Sequence, residues 1–346
     1  MNEDVAIRDV GGLISDDPPD QSDFSGDEEE TASYTPTLSF AAVRGVRRMS
    51  PAAARFQGRI AGLVVLLPLL GTIYAFYQVC VGGVGPTELC ILAGMYFLCT
   101  IGATVGFHRL FTHRAFKAHP AVKVGLAALG SMAAQGPLVF WVAEHRRHHL
   151  YSDRIGDPHS PNLHGGGLKG LFHGLYHAHL GWMFSDEQSD WANYAKDIVR
   201  DRDLFQIHQT YFRWVLLGLL LPAALGGLLT RSWLGAANGL LWGGLVRMFV
   251  LNQASWCVGS VCHVFGTRPF DTRDRSGNCY SVALLTFGEG LQNNHHAFQN
   301  SAAHGLKWWE PDLSMLVIRA LAALGLVWDV RVPTPEAIRA ARRSPA

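Results

Sequence analysis

Apolar residues gather into long blocks along this chain. Residues 60–81 and 88–106 form one pair, and residues 214–230 and 233–256 form another. Each block approaches the ~20 residues that a spanning helix requires. The members of a pair are joined by little: Val81-Gly82-Gly83-Val84-Gly85-Pro86-Thr87 in the first, Arg231-Ser232 in the second. Two further apolar runs read differently. Residues 122–142 are interrupted by Lys123, Gln135, Gly136 and Pro137, and a crossing there would separate the histidine-rich stretches on either side of it, so the pattern predicts a buried or interfacial helix. Residues 313–328 are short and contain Arg319, which predicts a helix lying on the surface. The expectation is an all-α membrane protein with four transmembrane helices and a cytosolic helical cap. Residues 56–335 would make the domain, with 107–210 and 257–335 as the cap and 336–346 as a C-terminal tail.

Charge sets the expected orientation. Arg44, Arg47, Arg48, Arg55 and Arg59 precede the first block, Arg109, Arg114 and Lys117 follow the second, and Arg268, Arg273 and Arg275 follow the fourth. The first connector holds no Lys or Arg, so the positive-inside rule places both termini in the cytosol. The expected location is a bacterial cell membrane rather than the endoplasmic reticulum. Arg247 lies inside the fourth block, where lipid would penalise it, and is expected to face the protein interior or the cap. Residues 1–55 hold an acidic run (Asp16, Asp17, Asp20, Asp23, Asp27, Glu28, Glu29, Glu30) without sustained apolar periodicity. They read as a disordered tail; docking of a redox partner is the alternative use. The extreme N-terminus carries no apolar stretch of the signal-peptide kind. Charged residues are only 16% and the formal net charge is +1, which gives nucleic acid no basic face to bind. Six cysteines form no C-x-x-C pair and read mainly as small buried hydrophobes.

Histidine is the outlier of the composition, with 16 residues. His145-Arg146-Arg147-His148-His149 places three imidazoles on one helical face if the segment is helical. His108 and His113 lie upstream, five apart and therefore about 140° from one another on an ideal helix, a spacing that suits a helix end where one ligand reaches each of two metals. His263 follows the fourth block, and His295-His296 close a Q-N-N-H-H stretch. Eight imidazoles exceed what one ion takes and suit two. Imidazole serves Fe, Zn, Cu and Ni, so ligand type alone leaves the metal open. Glu144, Asp157 and Glu289 stand nearby as candidates to orient the ligands.

These stretches resemble the integral-membrane fatty-acyl desaturases of the acyl-CoA Δ9, stearoyl-CoA desaturase-like type. The resemblance runs from about residue 60 to residue 330. It is carried by Gly106 through Arg114, Trp141 through His149, Asp157-Pro158-His159, Cys262-His263 with Phe265 through Asp271, and Thr286 through Gly290 leading into Asn293-Asn294-His295-His296-Ala297-Phe298. It implies two irons held by His108, His113, His145, His148, His149, His263, His295 and His296. It also implies an acyl tunnel bent at Gln135, Trp141 and Ser255. Read from the residues alone, Gln135 is equally a helix cap, Trp141 a membrane-belt tryptophan and Ser255 a packing residue. Two positions depart from the family pattern: Gln292 stands where the third box normally opens with His, and Gly259 stands where an Asn normally holds a metal-bound water. Both should fall near the same metal, with Gln292 a doubtful ligand.

The implied activity is O2-dependent insertion of a cis double bond, at Δ9, into a saturated fatty acyl chain carried on CoA. Electrons would come from an external ferredoxin- or cytochrome b5-like donor with its reductase, because no cytochrome b5 signature is present. Arg146, Arg147 and Lys169 are candidates to meet a phosphate-bearing head group, with plain surface charge the alternative. A hydroxylase or oxygenase with the same centre, a desaturase for carrier-protein-bound or lipid-linked chains, a non-catalytic metal-binding membrane protein and a chain with one disabled metal site are the competing readings.

Overall fold

The computed structural model describes residues 43–342, so the acidic run and most of the expected N-terminal tail lie outside the described residues. The last part of that expected tail is structured instead. Val46–Arg48 pairs antiparallel with Glu187–Ser189, and Arg47 donates to Asp190 at 2.6 Å. Ser50 then caps helix α1 (Pro51–Cys80), accepting from the Ala53 N–H at 3.3 Å. A cap oxygen and a proline at the first helical position both favour a helix start there, which is why α1 begins before the apolar block does.

Among the described residues, four helices are long and apolar enough to cross a membrane: Pro51–Cys80, Pro86–Thr112, Tyr211–Thr230 and Trp233–His263. They follow the four predicted blocks and extend the second and fourth into the histidine clusters. Along α1 large side chains such as Leu66, Leu70, Ile73 and Phe76 face outward, whereas Gly71 and Ala75 face the protein. That inversion suits a lipid surround, where burial of small residues lets backbones approach. A polar chain ties the two pairs together at the end away from the histidines. The Trp242 Nε1–H donates to Gln78 at 2.9 Å, Gln78 donates to Asn238 at 3.1 Å, and Asn238 donates to Glu88 at 3.1 Å.

Helix α2 (Pro86–Ile101) winds into a π-helical stretch over Gly102–Thr112, and the fourth helix carries another over Leu240–Val246. Arg247 follows directly and is fully buried. Its guanidinium donates to the carbonyls of Gly243, Met132 and Gly218 at 3.2, 2.9 and 3.0 Å, so it faces the protein interior. Of the cysteines, Cys99 and Cys262 are buried, whereas Cys80 and Cys90 are exposed and correct the reading of the set as mainly buried.

Residues 122–142 are not one helix. Helix α3 (Pro120–Met132) ends before a turn in which Ala134 and Gly136 take positive φ, and helix α4 (Leu138–Tyr151) starts behind Pro137. Gly136 adopts φ 113° without the strain a Cβ would bring, and its N–H is held by the Tyr211 hydroxyl at 3.1 Å. The turn swings α4 across the ends of the membrane helices. Short helices over residues 191–209 and a helix at Leu313–Ala323 complete the layer around α4, and the expected C-terminal tail carries a short helix, Pro335–Ala340.

Gly102 lets α2 lie directly on α3: a Cβ there would overlap the backbone of Leu129 and Gly130. Gly102→Ala should therefore destabilise the protein by about 1–3 kcal/mol, read as a lower melting temperature in detergent. Gly94→Ala, with nothing within 4 Å of the added carbon, should leave it unchanged.

Candidate metal centre

The histidines arrive from four places and sort into two principal groups. His108, His113, His145, His149 and His295 offer ligand atoms all within 4.8 Å of one another, and so do His148, His263 and His296. The π-helical stretch explains why His108 and His113 share a group instead of serving one metal each. In a π-helix the backbone bonds run from i to i+5, and the His113 N–H donates to the His108 carbonyl at 3.1 Å. Residues five apart are thereby brought onto one face, and their Nε2 atoms lie 3.1 Å apart. Helix α4 divides its three histidines differently from the single face expected. His145 and His149, four apart, turn to the first group with Nε2 atoms at 3.0 Å, while His148 turns to the second.

Carboxylates hold the rings from behind. The Nδ1 atoms of His148, His263 and His296 lie 3.0, 2.9 and 2.6 Å from Asp157, Asp153 and Asp274, and His108 Nδ1 contacts Glu289. A proton fixed on Nδ1 leaves the Nε2 lone pair directed inward, the arrangement a metal-ligating imidazole needs. Glu289 is itself held by Arg109, whose Nε and Nη2 lie 3.1 and 3.0 Å from it, and Arg109 also pairs with Asp312 at 2.8 Å. Of the three carboxylates expected to orient ligands, Asp157 and Glu289 face histidines. Glu144 instead accepts from the Ser189 N–H at 2.8 Å. Asp153 and Asp274 were not legible, because each reaches its histidine only through loops distant in sequence.

Burial disfavours protonation at several of the ligand rings. Burial, followed by repulsion from neighbouring imidazoles, holds His113, His145, His149 and His295 well below the usual histidine range. Burial also lowers His296 to about 4, against the opposing pull of Asp274. For Asp153, Asp157, Asp274 and Glu289, burial acts upward, but their imidazole partners outweigh it and hold these acids below their ordinary values. The donor set fits metal. Four Nε2-to-Nε2 approaches of 3.0–3.2 Å crowd the first group, and in the second His148 Nε2 and Gln292 Oε1 are buried without a partner.

Gln292 lies against the second group, its amide nitrogen 3.1 Å from His296 Nε2 and 3.5 Å from His263 Nε2. The amide's two ends are assigned by the hydrogen-bond network, and an inverted amide would turn the oxygen inward. Gly259 borders the same group through His159. His304, which sequence reasoning missed, is fully buried. Its ring stacks on His295 at 4.4 Å, and its Nδ1 lies 3.5 Å from Glu289. No box spacing signals it.

A cavity of about 120 Å³ opens onto both groups, lined among others by Gln135, Trp141, Ser255, Gly259 and Gln292. Gln135 donates to the Ser255 hydroxyl at 2.8 Å, and the Trp141 ring stacks on His145 at 5.0 Å. Arg146 and Arg147 do not face it as free cations. Arg146 pairs with Asp197 at 2.7 Å and Arg147 with Glu187 at 3.1 Å.

Four apolar spans topped by two carboxylate-backed histidine groups define a membrane protein with a histidine-rich metal centre. The family model described as "Fatty acid desaturase" matches residues 85–313. The chain is 50% identical over 277 residues to the Hex-5-enoyl-[acyl-carrier protein] acetylenase of Moorena producens, covering 80% of this chain and 86% of that one. It is 41% identical to the sn-1 stearoyl-lipid 9-desaturase of Anabaena variabilis (67% and 79% covered) and 30% identical to Acyl-CoA desaturase 1 of Saccharomyces cerevisiae (81% and 52%). The chain belongs to the fatty acid desaturase family and is an oxidoreductase. Membership brings with it a membrane location, a fatty acyl substrate, O2 and an electron donor, and family members generally use two irons.

Removing one orienting carboxylate should weaken only its own group. Asp274→Ala is expected to lower metal affinity at the second group roughly tenfold to a hundredfold, measured by competition with a chelator of known affinity, with the five-histidine group retained.

Proposed function

We propose that this chain is a di-iron desaturase that introduces a cis double bond, at Δ9, into a saturated fatty acyl chain. His108, His113, His145, His149 and His295 would hold one iron, and His148, His263 and His296, with Gln292 beside them, the other. Bound iron supplies the oxidising power that unactivated C–H bonds demand, drawing on O2 and two electrons. The observation that carries this reading is the cavity joining both histidine groups to Gln135, Trp141 and Ser255.

The protein's own residues do the positioning. Glu289 and Asp157 keep His108 and His148 in one tautomer with Nε2 facing inward. Trp141 walls the cavity beside His145, so a methylene pair lying along it is brought next to the metal groups by shape. The Gln135–Ser255 bond crosses the cavity wall and bends the path that a chain must follow. Gln135 and Ser255 are bonded to each other, which leaves regioselectivity a matter of distance along the tunnel.

The arginine asymmetry favours a cytosolic side for both termini and the histidine layer; the membrane we propose is a bacterial cell membrane, and electrons reach the centre from an external ferredoxin- or cytochrome b5-like protein with its reductase. Arg146 and Arg147 are engaged by Asp197 and Glu187 and lend no separate support to a CoA-bound substrate. The 50% identity to an acetylenase named for a carrier-protein-bound enoyl chain favours a second reading, in which the carrier is acyl carrier protein and an existing double bond is oxidised further.

Purified protein should hold about two irons per chain and, with electrons and O2, convert a stearoyl or palmitoyl substrate to a product lighter by one H2. Prior chelation should abolish the conversion. A product heavier by one oxygen atom would mark a hydroxylase, and an alkyne from a carrier-bound enoyl chain would mark an acetylenase. Ser255→Ala, which deletes one hydrogen bond, should cost up to about tenfold in turnover and spread the double bond over neighbouring positions, seen by mass spectrometry of derivatised products.

A further inference from the structure

A second cavity, of about 520 Å³, lies where α3 meets the short helix Arg202–Gln209 and the start of the third span, Tyr211–Thr230. It is larger than the cavity facing the histidines, shares no lining residue with it, and falls within the ~300–1,000 Å³ range of small-ligand sites.

The lining is polar toward the short helix and apolar toward the span. Asp203 and Gln206 come from the short helix and Arg213 from the first turn of the span, whereas Leu217 sits one turn further into the span on the face of Arg213. Val124 and Trp214 add apolar wall, and the Trp214 Nε1–H donates to the Thr210 hydroxyl at 3.1 Å, which pins the ring. A tryptophan beside an arginine at the end of an apolar span marks the head-group level of a bilayer. The acids on the preceding turns are occupied: Asp197 pairs with Arg114 and Arg146, and Asp201 with Lys123. Asp203 and Arg213 are exposed, and among the described residues neither is in an ion pair. A cation and an anion facing one groove complement a head group that carries both signs. A purely anionic head group would meet Arg213 only against the repulsion of Asp203.

We propose that this groove binds a phospholipid with a zwitterionic, primary-amine head group of the phosphatidylethanolamine class, taken from the leaflet on the histidine side. Its phosphate lies on Arg213, its ammonium on Asp203 and Gln206, and an acyl chain along Trp214 and Leu217. The lipid braces a joint that supports the metal layer. On either side of Thr210, His208 Nδ1 accepts the Val139 N–H at 3.3 Å and the Tyr211 hydroxyl accepts the Gly136 N–H at 3.1 Å, so the joint holds the start of α4 from both sides.

The full chain, delipidated in detergent, is titrated with phosphatidylethanolamine and phosphatidylglycerol of matched acyl chains and followed by native mass spectrometry. One phosphatidylethanolamine should bind roughly tenfold more tightly than phosphatidylglycerol and raise the melting temperature. Arg213→Ala should lose about tenfold of that affinity, and the thermal shift with it. Asp203→Asn should weaken phosphatidylethanolamine and strengthen phosphatidylglycerol, inverting the preference. Both side chains are exposed, so the lipid-free melting temperatures of the variants should match the wild type. Equal binding of the two lipids by the wild type, or unchanged phosphatidylethanolamine affinity in both variants, overturns the proposal. So does displacement of the lipid by an equal concentration of free phosphoethanolamine, which would assign the groove to a soluble phosphate ester.

Discussion

Imidazoles can share a centre only if each points its free nitrogen the same way, and buried carboxylates impose that orientation here. Asp153, Asp157, Asp274 and Glu289 each stand behind one ring, and Arg109 secures Glu289 in turn. Such acids would be costly to bury alone. Their cost is offset because every one is paired, which also explains why so many loops converge on α4. The fold around the histidines is in effect a scaffold for these contacts.

That requirement shapes the membrane part too. The second and fourth helices both run on past the apolar blocks into the histidine layer, and both contain π-helical turns. In the second, the turn rotates His108 and His113 onto one face. In the fourth, it precedes Arg247, which fills the joint by binding three carbonyls from three segments. The same layer closes the cavity from one side, with the Gln135–Ser255 bond on its wall. Metal chemistry and chain positioning therefore depend on the same few helix ends.

Family membership leaves room for divergence at the second group. Gln292 and Gly259 both lie beside it, while the five-histidine group is intact.

The four spans and the histidine boxes were legible in the chain itself, because hydrophobic length and box spacing are local properties. So was the departure at Gln292 and Gly259. Tertiary structure decided how the histidines divide, since the π-turn at Gly102–Thr112 has no signature in residue spacing and alters which residues share a face. It also broke the run at 122–142 at Gly136, ordered the residues before Pro51 through pairing with Glu187–Ser189, and recruited Asp153, Asp274 and His304 from far along the chain. Contacts of that kind depend on where loops land, and loop placement is set by the packed whole.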